Sequence, residues 1–352
     1  MAQAGALAPS GDNLQPWTFI NDDESLLIVH DPNQDRSLFN VHHLASYIAL
    51  GAVLENVLIA ATKYNYRASI CYFPEPQKQD LIARVTFARG AEVDPLVDSI
   101  EKRCTNRRPY ETRALDGSII QRLILEPERF PGIGLVWLSD QSSLKKIGTI
   151  VSHADRLLFE NPLIHGHLFS TLRWNQAEIE RTRDGLPIAS LELGSVGSLA
   201  FRTLKNWSIV KFLNRLGFSR AAANHSAVLM RRCSATGLIT APNTSPVSFL
   251  NVGRVLERVW LQATKETLAF QPMTAIIFLQ LRSRLADYEG LTADQMNVAD
   301  GLCRDLQKFF ALSKDTIPAM LVRIGYAIAP SAKTIRRLAS ETLNQRMYSG
   351  HF

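Results

Sequence analysis

The sequence predicts an α+β fold in which two related halves share one chain, each organised around a buried central helix. Three observations carry this expectation. The segment Gly51-Ala-Val-Leu-Glu-Asn-Val-Leu-Ile-Ala-Ala-Thr-Lys-Tyr-Asn65 repeats as Gly253-Arg-Val-Leu-Glu-Arg-Val-Trp-Leu-Gln-Ala-Thr-Lys-Glu-Thr267, identical at eight of fifteen positions with an offset of 202 residues. Both copies are apolar nearly all round, the pattern of a helix enclosed by other elements. Near the N-terminus, Trp17–Asn21 and Leu26–His30 read as strands about a turn at Asp22-Asp23, the pattern of a hairpin.

Two helices can share an apolar pattern by chance. This repeat also keeps Gly51/Gly253, Glu55/Glu257, Thr62/Thr264 and Lys63/Lys265. The spacing is too long for a solenoid and fits two copies of a domain-sized unit. The first half, residues 1–92, is expected to hold the hairpin, a central helix over about His43–Lys63, and strands near Ala68–Phe73 and Leu81–Phe87. The second half, residues 93–352, is expected to hold helices near Pro95–Arg103, Ser118–Leu125 and Ser143–Leu158. A strand is expected at Ile133–Leu138, the second central helix at about Leu250–Thr267, and strands at Thr274–Leu281 and Met320–Ile324. Residues 163–234, approximately, form an insertion with no counterpart in the first half. It carries the turn Thr182-Arg183-Asp184-Gly185-Leu186-Pro187, then the apolar, glycine-bearing stretch Ala189–Leu216. Long insertions in compact domains are often functional, so a lid over a site is expected.

The bulk composition is that of a globular protein, with 46% apolar and 20% charged residues among 352. No apolar run approaches the roughly 18 residues that span a bilayer. The first residues lack a basic stretch followed by an apolar core, the pattern of a secretory signal. Cys71, Cys104, Cys233 and Cys303 are far apart, which fits a reducing cytoplasm rather than a disulfide framework. The net charge of +6 is spread along the chain without a basic stripe interleaved with aromatics, so nucleic acid is not an expected partner.

The densest chemical signal is Ala8-Pro9-Ser10-Gly11-Asp12-Asn13-Leu14-Gln15-Pro16-Trp17. Ser10, Asn13 and Gln15 donate and accept hydrogen bonds without charge, and Pro16 holds the preceding residue extended. Such a loop suits a flat heterocycle with polar edges. Two basic clusters follow. In Arg103-Cys-Thr105-Asn-Arg107-Arg, Arg103 and Arg107 fall about one helical turn apart. The second cluster is Lys333-Thr-Ile-Arg336-Arg337. Arginine forks bind phosphate bidentately.

Ser10, Asn13, Gln15, Pro16 and Trp17 resemble the Ser-x-x-Asn-x-Gln-Pro-Trp loop of the nitroreductase superfamily. Arg103, Thr105 and Arg107 resemble that family's Arg-x-Ser-x-Arg segment, and Lys333, Arg336 and Arg337 its C-terminal basic pair. The resemblance runs from about Ala8 to Leu343. It implies a nitroreductase-like fold, with a mainly antiparallel sheet flanked by helices in each half. It also implies FMN as cofactor. Pro9, Ser10, Asn13 and Gln15 would meet the flavin, while Arg103, Thr105, Arg107, Lys333, Arg336 and Arg337 would hold its phosphate. Members of the family are usually homodimers whose two sites take the loop from one subunit and the phosphate grip from the other. Here the first half has the loop and the second has the grip. The second half's loop position reads Glu126-Pro-Glu-Arg-Phe-Pro-Gly-Ile133. The chain therefore resembles a fused dimer with one complete and one decayed site, for which a monomer suffices and higher association is allowed.

The implied chemistry is hydride transfer from NAD(P)H through the flavin to a small organic acceptor. No Gly-x-Gly-x-x-Gly follows a strand, and Gly194-Ser-Val-Gly197 is too sparse for a separate dinucleotide site. Two departures bear on activity. Asp12 adds a negative charge beside an anionic cofactor, and Gln271-Pro272-Met273-Thr274 matches the family's Pro-x-Glu-Gly stretch only at Pro272. Pro272 and Met273 remain candidate flavin contacts. The alternative is an FMN-binding storage protein with a closed lid and no efficient turnover. A lid whose Arg183 or Trp174 fills the ring pocket favours storage, and an open pocket favours the enzyme.

Other signals are weaker. His165 and His167, with Glu160 and His153, lack recognised zinc spacing, so no metal is expected. His42-His43 opens the first central helix and is expected to cap or pack there. Ser142-Leu-Lys-Lys145 lacks the partner motifs of its hydrolase class. Leu199–Leu216, with Arg202, Lys205, Lys211 and Trp207, reads equally as lid packing or as a membrane-surface segment. Lid packing is the expectation, with no membrane partner.

Overall fold

The computed structural model describes residues 1–345. Its architecture is α+β, with two sheets flanked by helices. The first sheet runs in the order Leu343–Gln345, Trp17–Asp22, Ser25–His30, Leu81–Arg89, Tyr66–Tyr72. All its pairings are antiparallel except the parallel one between Leu343–Gln345 and Trp17–Asp22. The second sheet is wholly antiparallel, in the order Gly134–Leu138, Ala235–Ala241, Ile317–Gly325, Ala269–Met273. The chain thus leaves the second sheet at Gly325 and ends its described length on the edge of the first.

The two repeated segments form the helices Leu44–Thr62 and Pro246–Lys265, which pack against each other at the centre. Ser245 caps the second, accepting from Ser248 N, and Pro246 occupies its first turn, where a missing N–H costs nothing. The helices approach closely at their glycines. A Cβ on Gly51 would lie 2.0 Å from the Leu250 carbonyl oxygen, and one on Gly253 would lie 1.9 Å from that of Ile48. Ile48 and Leu250 are themselves 202 residues apart, so the two contacts are reciprocal. The stretch Val41–Thr62, which contains the first central helix, is long and apolar enough to cross a membrane, but 83% of its most apolar 18-residue window is buried inside the fold. The expectation that no segment reaches that length is corrected accordingly.

Two elements differ from expectation. Thr274–Leu281 is not a strand but the start of a helix, Thr274–Arg284, and the strand precedes it at Ala269–Met273. Ala275–Leu281 is buried on every side, so the segment shows no period by which sequence could separate helix from strand. The expected helix at Pro95–Arg103 is only a short 3₁₀ turn at Val97–Ser99. The strand Ala235–Ala241 and the helix Ala293–Phe309 were not foreseen. His43 does not cap the first central helix by its side chain; it packs edge-on against His30 with ring centres 5.0 Å apart.

The insertion is helical, with Pro162–Thr171, Gln176–Thr182, Gly194–Thr203, Trp207–Arg215 and Phe218–Arg231. Leu172–Arg173 and Leu186–Pro187 add a short parallel pair. It has its own small apolar core, in which Phe159, Phe169, Leu172, Leu186, Leu204 and Val210 are buried. The Thr182–Pro187 turn leaves this core and reaches the N-terminal loop.

Candidate functional site

Residues 10–15 are held in an uncommon backbone shape. Asp12, Asn13 and Gln15 all have positive φ, at 45°, 59° and 56°. Asp and Asn tolerate this region better than other residues, whereas Gln15, expected to be extended ahead of Pro16, instead adopts it at a cost that its surroundings must offset. The offset is visible. Ser10 Oγ accepts from Gln15 N at 2.9 Å. Gln15 Nε2 donates to Arg183 O at 2.8 Å and Asn13 O at 3.2 Å, and Gln15 Oε1 accepts from Arg337 N at 2.8 Å. Arg337 also donates to the Gln15 carbonyl. Asn13 Nδ2 donates to Ile335 O at 2.9 Å and Gly185 O at 3.2 Å. One loop therefore ties together the insertion turn and the C-terminal segment.

Beside this loop lie three adjoining cavities of about 220, 130 and 120 Å³, all walled by Asp12 and Arg107. The second is cationic. Arg103, Arg107, Lys333 and Arg336 line it with Ser10, Thr105 and Thr334, and Glu101 lies on its exposed edge. Arg103 is buried, 3.1 Å from Glu257, and its guanidinium lies 4.5 Å from the centre of the Trp260 ring. Desolvation, and then the neighbouring Arg103, draw the Arg336 guanidinium down to about 9. Desolvation likewise lowers Arg107. Buried guanidinia that outnumber their carboxylates are costly unless an anion joins them. Two buried oxygens here also lack a partner, Asn13 Oδ1 and Ser190 Oγ.

The third cavity is largely apolar, with Pro9, Ala45, Ile48, Trp260, Pro272, Phe278 and Met320 on its wall. The first extends from it beneath the insertion, which contributes Ile164, His167, Leu168, Leu186 and Leu191. This cavity, the largest of the three, carries four titratable groups besides Arg107. His167 Nε2 lies 3.1 Å from Asp12 Oδ2. Desolvation alone would lower His167, but the hydrogen bond and charge of Asp12, with Asp35 behind it, outweigh it and the net shift is upward. Burial raises Asp35 despite its bonds to Ser37. Burial also pushes the Asp155 carboxyl up to about 6, against the hydrogen bond from Ser226. Gln271, on the same wall, accepts from buried Arg323 Nε at 2.8 Å, which fixes its orientation.

Ten of the twelve residues expected from sequence line these cavities: Pro9, Ser10, Asn13, Arg103, Thr105, Arg107, Pro272, Met273, Lys333 and Arg336. Gln15 and Arg337 do not. Gln15 is fully buried and Arg337 spends its bonds on it, so both brace the loop from behind. Sequence reasoning missed Asp35, Asp155, Ser190 and Ser226, which sit in no local motif, and Trp260, which lies in the second repeat copy; all meet the site only through tertiary packing. His165 and His167 serve different partners: His165 Nε2 lies 2.8 Å from Leu204 O, away from His167's contact with Asp12. Among the described residues, no group of three or more His, Cys, Asp or Glu is arranged to hold a metal.

The fold and the cleft define an α+β protein with a cation-lined compartment joined to an apolar one. No family model matches the chain. It is 25% identical over 343 residues to the uncharacterized protein MT1398 of Mycobacterium tuberculosis (strain CDC 1551 / Oshkosh), covering 96% of this chain and 47% of that one. It is 23% identical over 364 residues to the uncharacterized protein Rv3127 of Mycobacterium tuberculosis (strain ATCC 25618 / H37Rv), covering 96% and 90%. The chain thus spans about half the length of the first relative and most of the second. Among solved structures it matches the FMN and NADPH-dependent nitroreductase of Sphigopyxis sp. strain HMH at a TM-score of 0.43 and 12% identity, over 72% of this chain and all of that one. It also matches a nitroreductase with bound FMN from Bacteroides fragilis NCTC 9343, at a TM-score of 0.36 and 9% identity, over 69% and 96%.

Proposed function

We propose that this chain is an FMN-binding oxidoreductase of the nitroreductase type, holding one flavin per chain and reducing a small organic acceptor with NAD(P)H. One observation carries the reading. Residues 9–13, 103–107, 272–273 and 333–336, singled out separately in the sequence, converge on one cleft whose cationic and apolar compartments adjoin. The cleft's chemistry fits the cofactor. Arg103, Arg107, Lys333 and Arg336 would hold the phosphate, with Thr105 and Thr334 completing its hydrogen bonds. Asn13 Oδ1 and Ser190 Oγ are unpartnered acceptors suited to ribityl hydroxyls. Pro9, Trp260 and Pro272 would flank the ring. When bound, FMN supplies the hydride chemistry; the chain supplies orientation and a dry environment. His167 and Asp155 are the groups in the first of these cavities suited to exchange a proton near neutral pH.

The single-site stoichiometry is supported by the repeat-related acids Glu55 and Glu257. Glu257 meets Arg103 at the cationic cavity. Glu55 instead pairs with Arg254 at 2.8 Å and Arg258 at 3.0 Å, and Arg258 also engages Asp94 and Glu126. Glu126 opens the segment where a second loop would fall, so that place is filled by an ion-pair network.

A second reading, flavin storage, is favoured by the bonds from Asn13 and Gln15 that clasp the insertion turn over the cleft. Against it, neither Arg183 nor Trp174 lines the cavities. Arg183 Nε donates to Arg336 O at 2.9 Å, and Trp174 stacks near Phe169. A visible absorption spectrum of the purified protein, recorded anaerobically before and after adding NADPH, decides between the readings. A yellow protein with one flavin per chain that bleaches within seconds supports the oxidoreductase. One that stays oxidised supports storage, and a colourless protein that cannot be reconstituted with FMN overturns both.

A further inference from the structure

From Leu193 through Leu256 the chain contains no Asp or Glu, yet it carries Arg202, Lys205, Lys211, Arg215, Arg220, Arg231, Arg232 and Arg254. Six of these, Arg202, Lys205, Lys211, Arg215, Arg220 and Arg231, lie on the helices of the insertion or the link between them. No carboxylate forms an ion pair with Arg202, Lys205, Lys211, Arg215 or Arg220 among the described residues. Among the described residues, Arg202's charge faces the ring of Trp174, 5.8 Å away.

The same helices expose large apolar side chains. The Gly194–Thr203 helix buries none of its residues, and Val196 and Leu199, one turn apart, are 84% and 70% exposed. In the Trp207–Arg215 helix only Val210 is fully buried. Ile209 and Phe212, with Leu216 just beyond, form a second exposed stripe at helical spacing, flanked by Lys211 and Arg215. Packing of the insertion does not require them: its core is filled by Phe159, Phe169, Leu172, Leu186, Leu204 and Val210, with Phe201, Trp207 and Leu213 against it. The stretch expected from sequence to be lid packing therefore also exposes apolar side chains that no other described residue covers.

We propose that this face docks on an anionic lipid bilayer, with Val196, Leu199, Ile209, Phe212 and Leu216 entering the headgroup boundary and Arg202, Lys205, Lys211, Arg215 and Arg220 meeting lipid phosphates. The argument for this occupant is charge complementarity. An exposed stripe with adjacent unpaired cations and no acid is the composition of an interfacial helix. A second copy of the chain is disfavoured, because a twofold contact through this face would set cations against cations.

Flotation of the full chain with vesicles tests the proposal. One set is phosphatidylcholine alone and the other an equimolar mixture with phosphatidylglycerol. The protein is expected to float with the anionic vesicles, to remain behind with neutral ones, and to dissociate as salt rises. Two exposed-surface variants are compared, Leu199→Ser/Phe212→Ser/Leu216→Ser and Lys211→Glu/Arg215→Glu. Each is expected to lose at least about ten-fold in vesicle binding while its thermal melt is unchanged. Failure of the wild type to float with anionic vesicles overturns the proposal, as does equal flotation with neutral ones or by both variants. A wild-type dimer in sedimentation that the serine variant dissociates also overturns it and assigns the face to self-association.

Discussion

Asp155 shows how a single side chain couples the cavity to pH. Asp155 lines the first cavity from the Gln141–Glu160 helix, and burial, which disfavours the charge, raises its carboxyl from 3.8 to about 6. The unfolded chain ionises near 3.8, so the cost of the buried carboxylate grows as pH rises from there to about 6 and is constant above. Asp155→Asn is expected to stabilise the protein by about 1–3 kcal/mol at slightly alkaline pH and to be near neutral below pH ~4. Denaturant titrations at the two pH values check this. His167 works in the opposite sense. Its folded value is raised above 6.5, so its pairing with Asp12 stabilises fully below that and fades as pH rises through the folded value. Gln15 is the other residue whose role depends on direction. Truncating it leaves Arg183 O, Asn13 O and Arg337 N short of a partner. Gln15→Ala is therefore expected to cost about 1–3 kcal/mol and, if the cleft holds the proposed flavin, to speed its release. Thermal melts and a flavin dissociation assay measure the two effects. Sequence identified Gln15 by type and spacing; it could not tell that the amide turns inward, because side-chain direction in a loop of positive-φ residues is set by what surrounds it.

Among the elements, the crossing of the two central helices carries the most. Both are sheathed in apolar contacts, and they meet where neither Gly51 nor Gly253 has a Cβ. The obstacle to a methyl group at either position is backbone, which cannot rotate away. Gly51→Ala and Gly253→Ala are each expected to destabilise by more than about 2 kcal/mol, despite alanine's better helix propensity. Equilibrium unfolding of the two variants reads this directly, and similar losses at both positions would reflect their reciprocal contacts. The central helices were legible from sequence because a long, nearly all-apolar segment has few alternatives. Thr274–Arg284 was not, because a buried run of eight residues fits strand and helix equally well until its length and neighbours are known.

Across the whole molecule, the charge in the cleft is the feature that only assembly explains. Arg103 and Arg107 follow the first sheet, whereas Lys333 and Arg336 lie on the segment that returns to it from the second. Arg336 donates to Ala8 O at 3.1 Å, so it also secures the start of the N-terminal loop. If this cation set holds a phosphate, Arg107→Gln is expected to weaken FMN about ten- to a hundred-fold and to leave riboflavin binding nearly unchanged. Fluorescence titration with the two flavins distinguishes loss of a phosphate contact from general damage to the site.

The sequence by itself determined the α+β class, the two central helices, the polar loop and the basic clusters, because each is a local pattern of residue types at fixed spacing. It also marked ten residues that the fold brings to one cleft. Tertiary structure alone decided the rest. It turned Gln15 and Arg337 into braces, added Asp35, Asp155, Ser190 and Trp260 to the cavity walls, and left one face of the insertion uncovered. These outcomes depend on which segments pack against which, and packing between positions far apart in the chain leaves no signature in either segment alone.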